Sequence, residues 1–125
     1  MKLIPLFKVH NMQEAIDFYT QILDFKQKYP EETADDPVVD LINEGAELQL
    51  TTHESETLYG SVINIPVTDI DERFQRYLDR GLDISGKANS PVHQGPIDQT
   101  WGAREFYVTD SSGNTLRFRQ WITSE

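Results

Sequence analysis

The residues best suited to chemistry lie mostly in the last third of this 125-residue chain. Trp101 offers a flat ring that can stack on another ring or on a cation. Arg117 and Arg119 present planar forks of donors, a shape that matches carboxylate or phosphate. Tyr107 adds a ring with a hydroxyl, and Gln49 and Asn64 add amides that donate and accept. Such a set recognises a ligand by stacking, hydrogen bonding and charge. Groups that make or break bonds are scarcer. There is no cysteine, which removes thiolate catalysis, disulfides and Cys-based zinc sites. The three histidines, His10, His53 and His93, show no HxH or HExxH spacing, and none is expected to bind a catalytic metal. No nucleophile motif or phosphate loop occurs, and Gly81-Leu-Asp-Ile-Ser-Gly86 lacks the GxGxxG pattern.

Two strands and a tight turn must position most of these side chains. Phe106 and Val108 alternate against Glu105 and Tyr107. Leu116, Phe118 and Ile122 alternate against Thr115, Arg117, Arg119 and Trp121. Asp110 to Asn114 supplies the turn, with Gly113 free to take a positive φ. One face of this hairpin is apolar and the other carries arginines and aromatics.

Upstream, residues 2–9 read as a strand, an edge strand because Pro5 lacks an amide donor. Asn11 caps a helix over 12–23, with Glu14 in the capping-box position. Ala15, Ile16, Tyr19, Ile22 and Leu23 form its apolar stripe. Strands follow over 24–29, 38–42 and 46–52, with an acidic loop at 30–37 and a turn at Asn43-Glu44-Gly45. The second half opens with a strand over 61–67. A helix capped by Asp69 or Asp71 then runs to about Arg80, with Ile70, Phe74, Tyr77 and Leu78 inward and Gly81 ending it. A short strand over 82–84 and a long loop over 87–100 lead into the final hairpin.

The halves repeat. Residues 9–19 superpose on 67–77 at an offset of 58, pairing Val9 with Val67 and Tyr19 with Tyr77. Residues 45–51 superpose on 113–119 at an offset of 68, pairing Gly45 with Gly113 and Gln49 with Arg117. Each half runs strand, helix, three strands, so the sequence reads as a duplicated βαβββ unit.

The net charge of −10 argues against a nucleic-acid partner, whose phosphates would be repelled. The acidity is lopsided: residues 1–56 hold four Lys against twelve Asp or Glu. A solvated acidic surface explains this, and attraction of a cationic ligand is the alternative. No run of eighteen apolar residues occurs, so no membrane span is expected. The opening Met1-Lys-Leu-Ile-Pro does not resemble a secretory signal, and a cytoplasmic protein is expected.

The segment Ala15-Ile16-Asp17-Phe18-Tyr19 followed by Leu23-Asp24-Phe25, set in a doubled βαβββ unit, resembles the vicinal oxygen chelate superfamily. That group includes glyoxalase I, extradiol dioxygenases, fosfomycin resistance enzymes and bleomycin resistance proteins. Trp101-Gly-Ala-Arg-Glu-Phe, followed by Asp110-Ser-Ser-Gly-Asn and Leu116-Arg, is similar to the Trp-Gly-x-Arg-Glu hallmark of the bleomycin resistance branch. The resemblance implies an α+β fold, two βαβββ repeats forming a curled mixed sheet with helices outside. It implies a single domain over 1–125, built of repeats 1–53 and 60–122. It also implies a homodimer that holds a glycopeptide-like antibiotic or similar aromatic ligand without chemistry. Trp101, Tyr107, Gln49, Asn64, Arg117 and Arg119 are the expected ligand-binding residues.

In the superfamily's metal enzymes four strand positions hold the ion. Here they fall at Ile4, Gln49, Val62 and Arg117. Ile and Val have no donor atoms, and Arg is a cation with no acceptor, so no metal and no cofactor is expected. Arg117 and Arg119 suit an anionic ligand better than a cationic one unless Glu47, Glu105 or the acidic loop neutralises them. An Arg104–Glu105 salt bridge is expected to shape the loop, and Trp101 either contacts ligand or plugs the core beneath that loop. The alternative function is a divergent glyoxalase- or dioxygenase-like enzyme, with a relocated metal or with Glu105 or Glu47 as base. A metabolite sensor or structural dimer is a third reading.

Overall fold

The computed structural model describes residues 1–55 and 57–122. Both halves run strand, helix, three strands. The first half contains β1 (Leu6–Lys8), α1 (Met12–Asp17), β2 (Lys26–Gln27), β3 (Val38–Asn43) and β4 (Ala46–Thr51). The second contains β5 (Val62–Pro66), α2 (Ile70–Asp79), the one-turn α3 (Pro91–Gln94), β6 (Ile97–Asp98), β7 (Ala103–Thr109) and β8 (Thr115–Trp121). Each half has its own four-stranded sheet, ordered β1-β4-β3-β2 and β5-β8-β7-β6. The first strand of each half pairs in parallel with the last, and the pairs β2–β3, β3–β4 and β6–β7 are antiparallel. This is the expected α+β class.

The hydrogen-bond register supports the duplication independently of residue identity. Leu6 pairs with Gln49, and Asn64 pairs with Arg117. The offset of 58 on one strand and 68 on the other carries the first pair onto the second. The bond just past the strand repeats too: Val9 N–H donates to Thr51 at 2.8 Å, and Val67 N–H to Arg119 at 2.8 Å.

The chain forms two compact units. One is Met1–Ser61 with Thr109–Asn114; the other is Val62–Val108 with the described residues from Thr115 onward. In the first, Phe7, Val39, Leu41, Leu48 and Leu50 alternate inward from the sheet and are covered by Met12, Ala15, Ile16, Tyr19 and Leu23. Asn11 caps α1 as expected, its side chain accepting the Glu14 N–H at 2.9 Å. The helix does not continue in α form to Leu23, because Phe18–Ile22 is a π turn. Thr20 Oγ donates to the Ile16 carbonyl at 2.7 Å, taking an acceptor of the α ladder, and Leu23 N–H reaches Phe18 instead. Tyr19 and Leu23 thereby both point inward, while Ile22 is only half-buried. Between β3 and β4, Glu44 and Gly45 both take positive φ, the two-residue turn that follows strand twist.

In the second unit Phe106 and Phe118 stack 4.9 Å apart, and Phe74 and Tyr77 of α2 meet Phe106 edge-on. Arg73 replaces Leu78 on the buried face of α2; Leu78 is half-exposed. Its guanidinium lies over Phe118, donates to Tyr77 and pairs with Asp69 at 2.9 Å. A cation is tolerated there because a carboxylate, a hydroxyl and an aromatic face answer it. Asp69, expected as a side-chain cap, stands at the N-cap position but spends its carboxylate on Arg73. The strand expected over 82–84 does not form. Asp83 accepts Ser85 N–H and Oγ, a local turn that competes with a ladder, and a 3₁₀ turn follows at Ser85–Lys87. The short strand is instead Ile97–Asp98, paired with Glu105 and Arg104.

Among the described residues no helix is long and apolar enough to cross a membrane.

Candidate functional site

Strand alternation in the second unit puts Asn64, Glu105, Tyr107, Arg117, Arg119 and Trp121 on the face opposite the aromatic core. Asn64 and Arg117 are register partners on β5 and β8. β7 is the next strand of the sheet, bringing Glu105 and Tyr107 beside the arginines. Trp101 stands just before β7, and Ile122 N–H donates to the Gly102 carbonyl at 2.9 Å, tying this entry to the end of β8.

The centre of the face is Glu105, which is fully buried. One carboxylate oxygen accepts the Trp101 indole N–H at 3.2 Å and pairs with Arg119 at 3.1 Å. The other accepts the Tyr107 hydroxyl at 3.2 Å. Arg119 also donates to Asn64 at 3.1 Å. The expected Arg104–Glu105 bridge is therefore absent, because neighbours on a strand point to opposite faces. Arg104 pairs instead with Asp71 at 2.8 Å and Asp98 at 3.0 Å.

Trp101 does not plug the core. It remains 55% exposed, with its N–H held by Glu105 and its ring open. Arg117 lies over the Tyr107 ring, 5.0 Å from its centroid, and His93 meets the same ring edge-on. Burial pushes the Tyr107 phenol above its ordinary pKa, with the Glu105 charge adding to that and Arg117 opposing it. Burial, then the charge of Lys87, holds His93 below its ordinary value. At neutral pH the face thus presents a neutral phenol and a neutral imidazole beside two guanidiniums.

Five of the six expected ligand residues, Trp101, Tyr107, Asn64, Arg117 and Arg119, belong to this unit. Gln49 belongs to the first, where its amide donates to Asp40 at 2.9 Å. Nearby on β4, Glu47 is bridged by Lys2 and Lys28. Sequence reading missed Glu105 as the hub and His93 as a neighbour of Tyr107. The available signal for Glu105 was its place on the face of Tyr107; its partners depend on strand register.

The four positions that hold a metal in related enzymes do not fit one here. Ile4 and Val62 offer only hydrocarbon, Arg117 is cationic and Gln49 already bonds Asp40. Among the described residues no three His, Asp or Glu side chains are grouped as a metal would need.

Comparison with known proteins gives a consistent fold. The profile of the Glyoxalase/Bleomycin resistance protein/Dioxygenase superfamily matches residues 6–118. TioX from Micromonospora sp. ML1 superposes with a TM-score of 0.76 at 21% identity, covering 98% of this chain and 99% of that one. A bleomycin resistance determinant encoded on the transposon Tn5 gives 0.76 at 16% identity, covering 98% and 99%. A bleomycin-binding protein solved in complex with bleomycin gives 0.72 at 17% identity, covering 96% and 98%. At these identities the structures share a fold with this chain. No curated protein matches it.

Proposed function

This chain belongs to the Glyoxalase/Bleomycin resistance protein/Dioxygenase superfamily, and on that premise we propose that it binds and sequesters an aromatic small molecule without altering it. The observation that supports this reading is the Glu105 hub. One buried carboxylate holds the Trp101 indole, the Tyr107 hydroxyl and the Arg119 guanidinium in fixed positions. A surface held this way binds without first ordering its own side chains, which lowers the entropic cost of association. The open ring of Trp101 supplies the stacking plane, and Asn64 and Arg117 supply polar contacts. Gln49, on the first unit's own sheet, is proposed separately as a ligand-binding residue. The same reading makes the protein a cytoplasmic homodimer, with a glycopeptide-like antibiotic or a similar aromatic compound as ligand.

Catalysis by the two candidate bases is less well supported. Glu105 is sealed from solvent and already accepts from three donors. Glu47 is clamped by Lys2 and Lys28, whose hydrogen bonds hold its carboxyl below the usual range and so weaken it as a base.

Tryptophan fluorescence titration in chelator tests the reading, using metal-free bleomycin and a panel of planar aromatic compounds. Wild type is expected to show saturable quenching with at least one of them. Trp101→Ala is expected to weaken that binding by about 10-fold or more, from lost stacking and contact area. Equal affinity in wild type and Trp101→Ala would remove Trp101 from the site.

A further inference from the structure

We propose that the second unit's face selects ligands bearing an anionic group, a carboxylate or its equivalent, and that Arg117 is the residue that receives it; this rests on the binding reading above. The two arginines are not equivalent. Arg119 is neutralised by Glu105 at 3.1 Å and also bonds Asn64. Among the described residues Arg117 has no carboxylate partner. Its interaction there is with the face of Tyr107 at 5.0 Å. Its Nε is shut off from solvent without an acceptor, as is that of Arg119, so the carboxylate pairing alone distinguishes the two. Among the described residues, two guanidiniums and one carboxylate leave this face one net positive charge.

A half-buried cation with no counter-ion is costly for a fold to keep. An anion bound to the terminal nitrogens would offset that cost with a charge-assisted pair, in the planar geometry a guanidinium favours. Trp101 and Tyr107 flank the arginines with rings, so the fitting compound joins a flat ring to an acidic group. The chain's overall charge of −10 acts against this only at long range. Charges farther than about 8 Å are screened at physiological ionic strength, so the local guanidinium decides.

The test compares 2-naphthoate with 2-naphthamide, which share a ring and differ in charge, by calorimetry on the full chain. Wild type is expected to bind the carboxylate at least about 10-fold tighter. Arg117→Gln is expected to erase that preference, and Arg117→Lys to keep part of it. Thermal melting of the variants shows that each is folded. Arg117→Gln is expected to melt no lower than wild type, since it relieves an unanswered charge. Equal binding of the two probes to wild type would overturn the anion assignment and leave the binding reading standing. A carboxylate preference that survives in Arg117→Gln would overturn the role of Arg117. Failure of wild type to bind either probe at millimolar concentration, while it binds an aromatic cation, would also overturn the assignment. Failure to bind any aromatic probe would overturn both.

Discussion

Replacing Glu105 by alanine is expected to destabilise the protein by about 3–5 kcal/mol, the range for removing one partner of a buried ion pair. Three groups lose their acceptor at once: the Trp101 indole, the Tyr107 hydroxyl and the Arg119 guanidinium. The Arg119 side chain keeps 21% of its exposure, and this partial hydration places the effect toward the lower end of the range. Glu105→Gln retains an acceptor oxygen and is expected to cost less. Glu105→Ala is expected to weaken aromatic ligands as well, because Trp101 loses the bond that aims its ring. Urea unfolding gives the stability, and a double-mutant cycle with Arg119→Gln isolates the pair. Additive effects of the two substitutions would show that the pair contributes nothing beyond its separate parts.

Asp110→Ala is the second large effect, expected at about 3–5 kcal/mol from several buried donors left without an acceptor. Asp110 accepts the Ser112 and Asn114 backbone N–H groups at 2.9 Å each, the Asn114 amide at 3.0 Å and the Tyr19 hydroxyl at 2.7 Å. Asn114 is fully buried and fastens the turn to the Lys8 carbonyl and the Ser61 N–H. Tyr19 gives this cluster a pH signature. Burial first, then the Asp110 charge, raises its phenol well above the ordinary value. The unfolded chain therefore gives up that proton at lower pH than the folded one. The stabilisation is complete below about pH 10, the unfolded tyrosine value, and is lost as pH rises beyond it. Urea unfolding between pH 8 and 11 is expected to show this decline in wild type, and a smaller one in Tyr19→Phe. A decline of equal size in both would assign it to other groups.

Period-two alternation was enough to read β7 and β8, because one face of each is apolar and the other polar. The Asn11 cap was legible because Asn and Glu three apart have a specific local chemistry. The duplication was legible through two offsets, and the Leu6–Gln49 and Asn64–Arg117 register pairs agree with both. Features that depend on which strands are neighbours were not legible. Arg104 and Glu105 adjoin in sequence, which suggests a bridge, whereas the partner of Glu105 is Arg119 from β8. Arg73 was hidden because burial of an arginine depends on Asp69, Tyr77 and Phe118 being in place. The short strand expected over 82–84 gives way to a single Asp83 turn, which depends on where the Ser85 N–H and hydroxyl point. The face that could meet a ligand was visible as a set of residue types; its organisation around one carboxylate was not.

Binding without metal and without chemistry is tested most directly by dialysing the protein against chelator, titrating it with the best compound from the aromatic panel, and then recovering that compound for mass analysis. Saturable binding at a fixed ratio per chain, with the compound recovered unchanged, is the expected result. Binding that returns only when a divalent metal is restored, or recovery of a converted product, would contradict it.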